Sequence, residues 1–135
     1  MMSFSLLHFL NFSKEESMTY PIEMLSVIAG GGLGAFLRWN VSLGILRTNL
    51  PLWSATLLVN LIGCTFIFLV SKYFAGSSKV MQSFIKVGIL GSLTTFSTFS
   101  LEVVTLFKSG KFVEGGLVLF LNVFFGIIIG IGIFR

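Results

Sequence analysis

Charge is almost absent from four long stretches of this chain, and their spacing constrains its fold more than any other feature. Between Glu23 and Arg47 lie 23 residues with a single charge, Arg38. Thr48 to Ser71 is 24 residues with none, the 21 residues between Lys86 and Lys108 hold only Glu102, and the 20 between Glu114 and Arg135 hold none. A helix that crosses a bilayer needs about 20 predominantly apolar residues. The 135 residues are therefore partitioned into four such lengths, predicted as spans at about 24–46, 52–73, 80–108 and 112–134. A soluble domain carries about a quarter charged residues because it meets water on all sides; here the fraction is 10%. The fold class is an all-α membrane protein with four transmembrane helices, in a plasma membrane and multi-pass.

Soluble enzyme chemistry is excluded with the soluble fold. There is no Asp, the single His8 lies in the N-terminal stretch, and no metal-ligand cluster occurs, so no enzyme is expected. Cys64 falls mid-span and says nothing about redox compartment. The net charge of +4 comes from Lys and Arg in loops and at helix ends, the pattern of membrane-flanking segments and not of a nucleic-acid surface.

Residues 1–23 stand apart as an N-terminal extension. Met1–Phe12 is a short apolar run followed by Lys14, Glu15 and Glu16, without the positive start or small-residue cleavage site of a signal peptide. It reads as a poorly ordered extension, or as a mis-assigned start with Met18 or Met24 as the true one; a membrane-surface helix is the other reading. Pro51 suits the first turn of span two. Tyr20, Trp53 and Tyr73 fall at predicted interfaces, where amphipathic rings sit. Ser26, Gly30 and Gly34 recur every fourth residue and Gly126 and Gly130 repeat the spacing, marking faces where helices pack closely.

Positive charge is nearly balanced across the membrane. Four spans put Lys14, Lys72, Lys79, Lys86 and Arg135 on one side, against Arg47, Lys108 and Lys111 on the other, or five against three, with Arg38 a fourth. Orientation follows a Lys/Arg bias, so a chain without one inserts both ways, and two opposed copies make an antiparallel dimer. Chance in a small protein gives the same counts.

Span three holds the run with chemistry. Gly91 to Ser100 contains six hydroxyl residues in ten, two of them adjacent Thr. A single Ser or Thr in a membrane helix back-bonds to the preceding turn; six beside a Gly predict a broken helix. Broken backbone at membrane depth is tolerated only where protein buries it or a wet cavity meets it. Free carbonyls there suit an alkali cation, and hydroxyls and N–H groups suit an anion. Phe96 and Phe99 share a helical face. Such a pair ordinarily packs or faces lipid, but the positive edge of an aromatic ring also favours a small anion. Thr56 and Asn60 share a face of span two, and Asn122 aligns with Gly126 and Gly130 on span four. A mid-span amide is costly unless paired. Arg38 and Glu102 are the charges well inside spans, and position alone leaves open whether they pair or snorkel.

These motifs resemble the Fluc (CrcB) fluoride channels. The matching residues are Gly31-Gly32-Leu33-Gly34-Ala35 with Arg38-Trp39, Val59-Asn60-Leu61-Ile62-Gly63, and Thr94-Thr95-Phe96-Ser97-Thr98-Phe99-Ser100 with Glu102. The resemblance covers about 24–135. It implies a dual-topology antiparallel homodimer that passively exports fluoride from the cytoplasm through two pores. It also implies a structural sodium ion, not transported, on backbone carbonyls of Gly91 and Thr94. Phe96 and Phe99 would line the fluoride sites, Asn60 would donate to the ion, and Thr56, Ser97, Thr98 and Asn122 would belong to the polar pore, with Arg38 and Glu102 in structural or vestibule positions. Ser92-Leu93 follow Gly91 where the family often has Gly-Gly before the Thr pair, which leaves the carbonyl site intact. Val118 stands one turn before Asn122 where the family often has Tyr or Ser, and bears on the upper polar track. The alternative is a small proton-coupled multidrug-type exporter, which needs an embedded titrating carboxylate. Glu102 is the one candidate, since span one has only Glu23 at its edge.

Overall fold

With no water to satisfy them, backbone N–H and C=O groups in hydrocarbon must bond within the chain, which leaves apolar segments of this length one form, the helix. The computed structural model has that form throughout: it describes the backbone of residues 4–135, with side chains from Thr19 onward. Of the stretch read as an N-terminal extension, residues 1–3 and the side chains before Thr19 lie outside the described residues, and the backbone from Phe4 to Glu23 is helical and continuous with the first span. Helix α1 is Phe4–Leu46, with Pro21 inside it, and α2 is Trp53–Tyr73. Helix α3 covers 79–93, α4 is Phe96–Lys108, and α5 is Phe112–Phe134. Four segments are long and apolar enough to cross a membrane: Thr19–Leu46, Trp53–Tyr73, Lys79–Lys108 and Phe112–Phe134.

Local chemistry sets the ends. Pro51 precedes α2 and its carbonyl accepts from Ser54 N at 2.9 Å. The Ser78 hydroxyl caps α3 by accepting from Met81 N at 3.3 Å, satisfying a donor that a helix start leaves unpaired. Gly110, at φ +78°, takes the left-handed conformation that reverses the chain between α4 and α5. Two stretches widen into π turns, Ser83–Leu90 in α3 and Leu121–Phe125 in α5, and the second carries Asn122.

The helices meet where side chains are smallest. Gly30 of α1 faces Gly88 of α3, and a Cβ on Gly88 would stand 2.9 Å from the Gly30 Cα. A Cβ on Gly34 would run into the Ile89 carbonyl. Gly130 makes room for the Phe68 ring, 2.5 Å from where its Cβ would be, so α5 packs on α2 the same way. Ser26, on the same stripe, is half-buried and bonds its own helix, Oγ to the Glu23 carbonyl at 2.7 Å. Two small cores result. Val59, Leu90 and Leu93 pack together, as do Phe99, Val103 and Val118. They lie on either side of two residues that are not helical, Thr94 and Thr95.

Candidate functional site

Thr94 (φ −79°, ψ 154°) and Thr95 (φ −150°, ψ 117°) are extended, between the end of α3 at Leu93 and the start of α4 at Phe96. Extended residues inside a span strand the hydrogen bonds of the turns around them, and the destination of each can be traced. The Thr95 N–H would serve Gly91 in a continuous helix; it donates to Asn60 Oδ1 at 2.8 Å. The Thr98 N–H would serve Thr94; it donates to the Thr95 hydroxyl at 3.2 Å, which caps α4. The carbonyls of Gly91 and Thr94 thereby lose their ordinary helical donors, while Thr94 N still reaches the Leu90 carbonyl at 3.1 Å.

Asn60 closes the gap from α2. Its Oδ1 faces the Thr95 N–H, which only donates, and its Nδ2 faces the Thr95 carbonyl at 3.2 Å, which only accepts, so the amide orientation is determined. The second Nδ2 proton goes to Asn122 Oδ1 at 2.9 Å, and Asn122 Nδ2 donates back to the Val118 carbonyl at 3.0 Å. Both mid-span amides are thus paired, which offsets the cost of placing them there. An open cleft of about 300 Å³ lies along this network, with Asn60, Thr94, Thr95, Phe96, Phe99 and Asn122 in its wall. The Phe96 and Phe99 rings are 5.7 Å apart and tilted by 59°. Phe99 is 5% exposed, packed on Val103 and Val118, whereas Phe96 is 79% exposed.

Not every predicted site residue joins this cleft. Arg38, Thr56 and Thr98 line a second cavity of about 290 Å³ between α1, α2 and α4, with Ser42 and Thr95. Glu102 faces a third with Trp53 and Glu114. Its Oε1 accepts from the Thr56 hydroxyl at 2.7 Å, while Oε2 is buried without a partner. Arg38 and Glu102 therefore do not pair with one another. Ser97 is exposed, its hydroxyl 3.3 Å from that of Thr95, and Gly91 is exposed on α3. Val118 is fully buried beneath Phe99, so the position that departs from the resemblance is a packing residue here. Among the described residues no cluster of His, Cys, Asp or Glu is arranged to hold a metal.

Thr95 is the residue the sequence reading passed over. It sits next to Thr94, and the reading gave it no role of its own. The available signal was its place: a Thr directly before a new helical run is an N-cap residue. The third cavity also holds an unforeseen contact, the Trp53 indole donating to Glu114 Oε1 at 2.9 Å, with Lys111 3.3 Å from the same carboxylate.

Four helices of membrane-spanning length, with two paired amides and a hydroxyl cap at one interruption, define a small multi-pass membrane protein. The chain belongs to the CrcB family, matching the family described as CrcB-like protein, Camphor Resistance (CrcB), over residues 25–133. Its relatives include the fluoride-specific ion channel FluC of Acinetobacter baumannii, 45% identical over 98 residues, which are 70% of this chain and 75% of that one. A second, fluoride-specific ion channel FluC 1 of Yersinia pestis, is 41% identical over 103 residues, 74% of this chain and 81% of the relative.

Proposed function

We propose that this protein is a fluoride-selective channel through which fluoride leaves the cytoplasm passively, and that it works as a dual-topology antiparallel homodimer. The observation that carries the reading is the collection of neutral hydrogen-bond donors and acceptors around Thr94 and Thr95, in helices otherwise apolar. Fluoride is small and strongly hydrated, so a pore must replace the hydrogen bonds of water. A full positive charge at the narrowest point would hold the ion instead of passing it. Thr, Ser and Asn groups and the edges of Phe96 and Phe99 meet both conditions. Asn60 has both N–H bonds engaged, so an ion bound there takes the place of Asn122 Oδ1. Arg38 and Glu102 line cavities other than the cleft of the rings, and Arg38 would draw anions towards the cavity that Thr56 and Thr98 share.

Two features support a second copy. Phe96, Ser97 and Thr98 are exposed at mid-span depth, where hydroxyls facing hydrocarbon are costly, and an opposed copy would cover them. The even distribution of Lys and Arg permits that copy to insert upside down. Structural sodium is supported by the two carbonyls, Gly91 and Thr94, whose donors have gone to Asn60 and to the Thr95 hydroxyl. Hard oxygen ligands suit an alkali cation, and a two-fold axis doubles two into four.

Reconstitution into liposomes loaded with fluoride, read with a fluoride-selective electrode, tests the channel. An imposed potassium–valinomycin potential is expected to drive fluoride out while chloride stays. Equal efflux of the two anions would remove the selective-channel reading.

A further inference from the structure

The cleft beside Phe96 and Phe99 and the cavity beside Arg38 are separate, and Thr95 alone lines both. Resting on the channel reading above, we propose that the Thr95 hydroxyl is the pore-lining group that hands the anion from the Arg38 cavity to the phenylalanine cleft.

Thr95 is held as a relay group should be. Asn60 grips its N–H at 2.8 Å and its carbonyl at 3.2 Å, so the backbone cannot swing. The side chain is buried, yet its hydroxyl remains in a chain of exchangeable partners. Thr95 Oγ1 donates to Thr98 Oγ1 at 3.0 Å, lies 3.3 Å from Ser97 Oγ, and accepts from Thr98 N. The donated proton points to Thr98, which lines the Arg38 cavity. A hydroxyl rotor turns at little cost, because the alternative acceptor, Ser97, is already within reach. An anion arriving beside Thr98 can therefore receive the Thr95 proton in place of Thr98 Oγ1, then keep that bond as it enters the cleft. Without such a donor the step would cross Thr95 with one hydration partner missing, and fluoride tolerates that loss less than any larger halide.

Three substitutions separate passage from capping. Thr95→Val keeps the shape and suits the extended backbone, but removes the hydroxyl and the cap. Thr95→Asn keeps a capping oxygen and adds bulk at the junction. Thr95→Ser keeps both hydroxyl and cap. In the reconstituted dimer, fluoride efflux of Thr95→Ser is expected within about twofold of the unsubstituted protein, with Thr95→Val and Thr95→Asn at least about tenfold slower. Thr65→Val, whose hydroxyl only back-bonds the Leu61 carbonyl at 2.8 Å, is expected to conduct normally. Gel filtration and thermal unfolding in detergent accompany each variant. If Thr95→Val does not fold, Thr95→Asn decides: a stable protein that does not conduct supports passage at Thr95. Parental efflux through either Thr95→Val or Thr95→Asn, or a Thr95→Ser as slow as they are, overturns the assignment. An unsubstituted protein that carries no fluoride overturns the channel reading itself, and the Thr95 assignment with it.

Discussion

Phe96 and Phe99 are three residues apart on α4 and meet different surroundings. Phe99 is buried against Val103 and Val118, and Phe96 projects from the molecule beside the cleft. Their substitutions separate accordingly. Phe96→Ile is expected to cut fluoride efflux at least about tenfold and to lower the thermal midpoint less than Phe99→Ile does, since most of that ring is uncovered within its own chain. Phe99→Ile should lose transport and also lower the midpoint, because a buried aromatic leaves a poorly filled space. Efflux and thermal unfolding measured on the same preparations check both; unchanged transport in the pair would mean that the rings only pack. The spacing made the pair visible in the sequence. Their unequal burial was not visible, because it depends on Val118 arriving from α5, 19 residues further along the chain.

At the scale of elements, the approach of α1 to α3 rests on Gly30, Gly34 and Gly88. A Leu at Gly30 is expected to push α3 away and with it the chain that leads into Thr94, so the variant should aggregate or elute as a mixture in detergent. Gly32, with open space beside it, is expected to accept Ala and elute as the parent does. The stripe was legible as a repeat every fourth residue. Which neighbouring backbone each glycine meets was not. The hydroxyl-rich run was likewise legible by composition, while the trapping of the Thr95 backbone by Asn60 joins residues 35 apart in sequence.

At the scale of the whole molecule, two predictions concern the dimer. Reporters fused to the C-terminus are expected to show both orientations in cells. A single orientation would make this chain one half of a pair with a reversed partner. Sodium exchanged for a large organic cation is expected to reduce assembly or fluoride efflux, and full conduction in sodium-free solution would sink the structural ion while leaving the pore intact. Gly91 belongs to the same test. Its backbone is ordinary helix, φ −64° and ψ −31°, and a Cβ there would meet only the Lys86 carbonyl at 3.5 Å. Left-handed freedom is therefore not what Gly91 supplies. Gly91→Leu is expected to spare the single chain and to weaken the dimer, where a second copy would approach this exposed position.

The spacing of charges by itself determined that the chain is helical and crosses a membrane four times, because the thickness of hydrocarbon and the need to satisfy every peptide group leave no other arrangement for 20 apolar residues. The family motifs, too, could be read directly. Only the tertiary structure decided where the displaced hydrogen bonds go. The donors that leave Gly91 and Thr94 are taken up by an amide from α2 and by the hydroxyl of Thr95. That exchange depends on distance in space, and a sequence records only distance along the chain.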